Sequence, residues 1–403
     1  MSWLTGYTYR KRITITGQAG AGNNYQVKLQ IGNVSGGDFN LSGHAASFPN
    51  DIRFTSNNGS IQLDYWIENV ATAPITAWIK VADSLNSNVD IYCYYGRASD
   101  TTTSNGRNTF IVFDDFATGS SEQWTMSNVT ADRTTNHRLN ISGVTGTTSA
   151  YLDKGTDIGD FEFLYTYTRT STGFGQGFGT GIGNTITNDF DSQNAGVGGF
   201  DHLGGAFTQF KYLRVKYAGI DYGTYTTAGA NNTLYYARLT RFGNIYNITI
   251  YSDAARTIAV WTLSTTRSGL TGLRYIYGVA TLIDKSVATT GWIKDIIIRK
   301  YVSPEPTFYT TDTEELGMTA TAMSISQSET PCRTGICTIT ANVTWQNLGS
   351  SNITFRPTII IDGTTYVQAA SDITILPYPN TNFSTITTPT LAVGTHSICP
   401  YPN

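Results

Sequence analysis

The feature that most constrains this chain is a two-residue alternation of apolar and polar side chains, repeated from end to end and clearest between positions 234 and 253, LYYARLTRFGNIYNITIYSD. Tyr235, Ala237 and Leu239 take one side there, and Arg238 and Thr240 the other; beyond Phe242-Gly243-Asn244, Tyr246, Ile248 and Ile250 oppose Asn247, Thr249 and Tyr251. A period of two is that of a β-strand, so the stretch predicts a hairpin with one buried face. A lone hairpin does not stand in water, and similar runs flank it on both sides, which predicts the middle of a large antiparallel sandwich. No stretch carries a helical period, so the expected fold class is all-β.

Composition agrees with exposed sheet and loop. Charged residues are 14% of the 403, against roughly 25% in an ordinary soluble domain. The formal net charge is −3, and no run of Lys or Arg offers a nucleic-acid groove. No apolar run reaches the length of a membrane span, and the N-terminus shows neither an apolar segment nor a cleavage site, so no secretion signal is expected in the chain as it stands. Of the four cysteines, Cys93 is in phase with Val89, Ile91 and Tyr95 and is expected to be a core thiol. Cys332, Cys337 and Cys399 cluster near the end, where one bridge among them would fasten the tail and point to an oxidising setting outside the cell.

In chain order, strands are expected at 10–16, 25–31, 51–55, 61–69, 75–81 and 89–95, with a turn at Asn57-Asn58-Gly59. This first region resembles a known family. The blocks Trp3, Tyr9-Arg10-Lys11-Arg12-Ile13-Thr14-Ile15, Asp51-Ile52-Arg53-Phe54, Leu63-Asp64-Tyr65-Trp66-Ile67-Glu68, Trp78-Ile79-Lys80-Val81 and Tyr92-Cys93-Tyr94-Tyr95-Gly96 follow the pattern of a domain of unknown function found in large archaeal and bacterial surface proteins and in viral proteins. The resemblance implies location and company rather than activity, and a concanavalin A-like jelly roll as the next domain. Phe113-Asp114-Asp115-Phe116 and Trp124 are similar to the opening of such domains, and the stretch from Gly291 to Tyr301 to their closing strand, which pairs beside the first. Near the end, Val343-Thr344-Trp345-Gln346-Asn347-Leu348-Gly349, Phe355 and Asp362-Gly363 resemble adhesion-associated immunoglobulin-like domains. Three consecutive antiparallel sandwiches are therefore expected: 1–105, 106–303 and 318–403, with 304–317 a polar linker entered through Pro304-Glu305-Pro306.

Chemistry has few candidates. Glycosidases need two carboxyl groups facing one another, and Asp160 and Glu162 share a face of one alternating strand. A third acid at the next outward position is missing, because Leu164 stands there. His44, His137, His202 and His396 have no metal-type spacing. The glycine-rich run from Gly173 to Gly183 alternates strictly and reads as a strand with one bare face rather than a phosphate loop. The loop after it carries Asn188, Asp189 and Asp191, hard oxygen groups that could hold calcium at Asp189 and Asp191 and shape a sugar site; the plain alternative is an Asn/Asp turn. Among 25 tyrosines several lie at outward phases, and Tyr222 and Tyr251 join Arg238 as candidate contact residues.

The expectation is a non-catalytic virion-surface or extracellular protein of fibre, spike or adhesin type. It would attach through its middle jelly roll to a cell-surface glycan or protein, with homo-oligomerisation expected and neither nucleic acid nor a required cofactor. The alternative is a structural subunit of a capsid, tail or filament; a glycoside hydrolase ranks third.

Overall fold

The computed structural model describes the chain except for residues 1–2, 5, 60, 69–72, 118–121, 145–147, 171–177, 187–194, 204–208, 219, 228–229, 231, 282–288, 328–335, 349–351, 364, 377–379, 389–390, 393–396 and 402–403. The fold is all-β: the one helical element described is a single turn, Gly106–Thr109, whose N-cap Asn105 accepts from the Asn108 amide. The chain divides into two compact units. One comprises residues 1–17, 27–104 and 306–403, and the other 18–26 and 105–305.

In the first unit a four-stranded sheet runs in the order Thr307–Leu316, Tyr9–Thr16, Val89–Tyr95, Arg53–Ser56, and a second in the order Phe39–Asn40, Tyr25–Gly32, Ile75–Val81, Tyr65–Ile67. Ile13, Ile15, Leu29, Ile31, Phe54, Ile79, Val81, Ile91 and Cys93 are buried, as the alternation predicts, and Cys93 is a free thiol. The expected linker is corrected here. Most of 304–317 is the strand Thr307–Leu316, antiparallel to Tyr9–Thr16 with Glu315 opposite Arg10. Its Thr and Glu content reads as linker, yet the glutamates have partners. Glu315 Oε2 accepts from Arg10 Nε at 2.8 Å, and Glu314 accepts from the Tyr95 hydroxyl at 2.7 Å and contacts His44 Nδ1 at 2.8 Å. Arg10 is clamped from the other side by aromatic faces, 4.4 Å from the Trp3 ring centroid and 4.2 Å from that of Tyr92.

The C-terminal part of this unit has its own core, with Trp345, Ile353, Phe355, Ile359 and Ile386 at its centre. The Trp345 indole N–H donates to Ser384 Oγ at 2.8 Å, so the buried ring leaves no donor unpaired. Of the three tail cysteines, among which one bridge leaves one thiol over, Cys399 is a free, exposed thiol. Cys332 and the side chain of Cys337 lie outside the described residues.

The second unit is a two-sheet antiparallel sandwich. An eight-stranded sheet has the order Thr130–Asp132, Arg138–Val144, Thr289–Lys300, Phe161–Arg169, Tyr235–Phe242, Ile245–Tyr251, Ala259–Thr266, with Val112–Asp114 also pairing with Thr289–Lys300. A seven-stranded sheet runs Ile220–Thr227, Gln209–Tyr217, Ala195–Leu203, Phe178–Gly183, Tyr275–Thr281, Ser149–Asp153, Thr125–Ser127. One core joins them, built from Leu139, Ile141, Phe163, Tyr165, Leu239, Ile248 and Ile293 on the first and Ala150, Ile182, Leu213, Val215 and Ile276 on the second. The hairpin at 235–251 forms as its pattern predicts, with Ala237 against Ile250 and Leu239 against Ile248. Gly243 opens its two-residue turn at φ +58°, a conformation that favours glycine. The closing strand lies beside the first, Ile297 opposite Phe113.

Candidate functional site

The outward face of the eight-stranded sheet holds two clusters built from similar residues. The first surrounds Glu162, which alternation turns away from the core formed by Phe161 and Phe163. It is only 4% exposed. One carboxylate oxygen accepts from Arg238 Nε and the other from Arg299 Nε at 2.6 Å. Arg299 is itself buried and forks onto Glu305 at 2.7 and 2.8 Å, and the Tyr25 hydroxyl donates to Glu305 Oε2 at 3.0 Å. Burial pushes the Glu162 carboxyl up, but Arg299 and then Arg238 outweigh it and hold the group below the usual carboxylate range. A general acid needs the opposite shift. The second carboxylate of the expected pair, Asp160, precedes the strand, accepts from the Gly243 amide at 2.9 Å and lies 3.8 Å from Arg241 Nε. Both carboxylates thus hold structure together.

The second cluster was not singled out by sequence reasoning. Cross-strand register sets Thr130, Asn140, Trp292 and Thr168 in one row on the outward face, since Asn140 pairs with both Thr130 and Trp292, and Trp292 with Thr168. Buried Leu139, Ile141 and Ile293 alternate with them and fix that orientation. Arg138 lies two residues before Asn140; its guanidinium sits 5.1 Å from the Trp292 ring centroid, and its Nε donates to Asn140 Oδ1 at 2.7 Å. Thr170 donates to Thr290 Oγ1 at 2.9 Å on the rim. Together with Ile141 and Gly291 these residues, Thr168 excepted, line an open cleft of about 580 Å³. An indole face bordered by hydroxyl, amide and guanidinium groups offers stacking area and hydrogen bonds in one place. The signal was present in the sequence: Trp292 and Lys294 are outward in Gly291-Trp292-Ile293-Lys294, as are Arg138 and Asn140 in Arg138-Leu139-Asn140-Ile141.

Of the six residues expected to contact a ligand, Arg238 and Tyr251 have described side chains. Arg238 and Tyr251 share the outward face of the eight-stranded sheet, where Tyr251 pairs with Tyr236 and Arg238 with Thr249. Arg238 is already held by Glu162 and lies 5.5 Å from the Tyr301 ring centroid. Tyr222 belongs to the other sheet, in Ile220–Thr227, and its side chain lies outside the described residues. Asn188, Asp189 and Asp191, with the calcium expectation that rests on them, also lie outside the described residues. Among the described residues no group of three or more His, Cys, Asp or Glu is placed to hold a metal ion. In the described part of the glycine-rich strand, Gly181 pairs with Tyr277 and Gly183 with Tyr275. The bare backbone is therefore neighboured by the chain's own aromatic cluster, Tyr151, Tyr275 and Tyr277, rather than left open to a ligand ring.

Fold and cleft define an all-β protein with an antiparallel sandwich that carries an open aromatic cleft. Comparison with known proteins adds a partial match. The family model described as "Domain of unknown function (DUF2341)" matches residues 49–127. The match begins after the Trp3 and Tyr9–Ile15 blocks and takes in Phe113-Asp114-Asp115-Phe116 and Trp124, so these residues fall within that family's pattern as well as at the start of the sandwich. No curated protein matches the chain. Among solved structures, a legume lectin-like domain from Entamoeba histolytica is 13% identical, with 44% of this chain and 90% of that one covered and a TM-score of 0.33. The CBM2 module of the evolved Dit of Lactobacillus casei BL23 phage J-1 is 13% identical, with 51% and 96% covered and a TM-score of 0.34. The enzymatically active domain of bacteriophage CBA120 tailspike protein 2 is 13% identical, with 49% and 31% covered and a TM-score of 0.32.

Proposed function

We propose that this chain is a non-catalytic surface protein, of virion or extracellular fibre, spike or adhesin type, that attaches to a glycan through the Trp292 cleft. The observation that carries the reading is the pairing of an accessible indole with polar groups fixed by the sheet register, Asn140 and Thr130 beside it and Arg138 above it. The absence of catalysis is part of the same proposal: Glu162, the best-placed acid, is held ionised between two arginines. Among the described residues no helix is long and apolar enough to cross a membrane. Calcium at Asp189 and Asp191 belongs to the proposal only as an aid to binding, and repeating the assay in EDTA checks it.

A second reading, assembly into a homo-oligomer or larger structure, is favoured by the sheet edge at Ala259–Thr266. Val260 is 42% exposed on it and Ile258, just before it, 61%. An uncovered edge strand offers a ready pairing surface. The first reading is tested by a glycan array with the full chain, run beside an assay for new reducing ends on the sugars retained. Retention without turnover is expected. Turnover that disappears in Glu162→Gln would replace binding by hydrolysis.

A further inference from the structure

We infer that the Trp292 cleft selects an acidic saccharide and takes its carboxylate on Arg138. The inference rests on the glycan-binding reading above and sharpens its ligand class. Among the described residues no Asp or Glu lines the cleft, and Arg138 is the one charged group. Two other strand arginines on this face, Arg238 and Arg299, are already matched with Glu162. Arg138 is not. Among the described residues no carboxylate lies within salt-bridge distance of it, although Asp132 is its cross-strand partner. Asp132 is turned into its own loop, where it accepts from the Thr135 amide at 3.0 Å and from Asn136 Nδ2 at 2.7 Å. The nearby Lys294 is taken by Asp295 at 3.5 Å.

Arg138 is also pre-oriented. Asn140 accepts its Nε–H and its guanidinium carbon lies 5.1 Å from the Trp292 ring centroid; among the described residues no acid claims its two terminal nitrogens, a fork that matches a carboxylate with two parallel hydrogen bonds. The other polar side chains of the cleft, Thr130, Asn140, Thr170 and Thr290, are neutral, and their hydroxyl and amide groups suit sugar hydroxyls. A neutral sugar would leave the Arg138 charge without an acid, whereas a uronic or sialic acid unit whose ring stacks on Trp292 brings one.

The test is a titration of the full chain with an oligogalacturonate and a sialylated trisaccharide, each beside its carboxyl-reduced form, and with a sulfated neutral oligosaccharide. At least one acidic probe should bind about tenfold or more tightly than its reduced form, and Arg138→Gln should remove that preference. Arg138→Lys, which keeps the charge and loses the fork, should fall between the two. Unfolding midpoints of both variants should match the wild type, because the group makes one side-chain hydrogen bond. Equal affinity for acidic and reduced probes, unchanged in Arg138→Gln, would overturn the acidic assignment and leave glycan binding intact. Equal affinity for the sulfated probe would overturn the carboxylate. Failure of every probe together with an empty glycan array would sink both readings.

Discussion

The Glu162 cluster and the Trp292 cleft lie on one face of one sheet and draw on the same residue types, an arginine, an aromatic ring and polar strand neighbours, yet they differ in what is left unsatisfied. Around Glu162 every charge meets another: two guanidiniums on one carboxylate, one of them forked onto Glu305, and Tyr25 closing the set. Around Trp292 the guanidinium has a hydrogen-bond partner and an aromatic neighbour but, among the described residues, no acid. The first is a closed structural network, the second an incomplete one. Completed polar networks specify a fold, whereas exposed unmatched groups in a concave place are what a ligand can complete.

This contrast can be broken from either side. The largest effect is expected from Glu162→Gln, which leaves Arg299 buried with half its partners and should lower the stability of the second unit by about 3 to 5 kcal/mol. Urea unfolding followed by tryptophan fluorescence measures it. A loss under 1 kcal/mol would show that the cluster is not the closed network described. The same carboxylate predicts a pH dependence. Its folded pKa is depressed, so the stability it contributes is present above the unfolded value of about 4.3 and lost as pH falls through the lower folded value. Wild-type urea midpoints should therefore drop below about pH 4.3 more steeply than those of Glu162→Gln.

Trp292→Ala should do the reverse. The ring is only half-buried, so stability should change by about 1 kcal/mol or less, and glycan affinity should fall by roughly thirtyfold, the loss expected at a central aromatic contact. The smallest effect is expected from Tyr251→Ala, on the same face but outside the cleft. Both stability and affinity should stay within about 0.5 kcal/mol of wild type, and a binding defect there would move the contact surface toward the hairpin.

Much of the fold was legible because alternation and turn residues act locally. The hairpin at 235–251 and the buried Cys93 follow from period and punctuation, and the pairing of the closing strand with the first from the resemblance to concanavalin A-like domains. The strand at Thr307–Leu316 was not legible. Its Thr and Glu residues look solvated until Arg10, His44 and Tyr95 are brought to them from the other end of the sequence. The Trp292 cleft was not legible for a related reason. Sequence marks an outward Arg238 or Arg138 equally, and only register tells that Glu162 claims the first while Asp132 turns away from the second. Trp292 was readable as an outward aromatic, but its cleft is made by Arg138 and Asn140, some 150 positions earlier in the chain, on the strand that becomes its neighbour.

On the proposed function, binding and structural integrity reside in these two separate clusters. The most direct measurement is a calorimetric titration of wild type, Trp292→Ala and Glu162→Gln with a glycan retained on the array, at a temperature where all three are folded. Trp292→Ala should lose most of the affinity while Glu162→Gln keeps it. Undiminished binding by Trp292→Ala, or loss confined to Glu162→Gln, would contradict that reading.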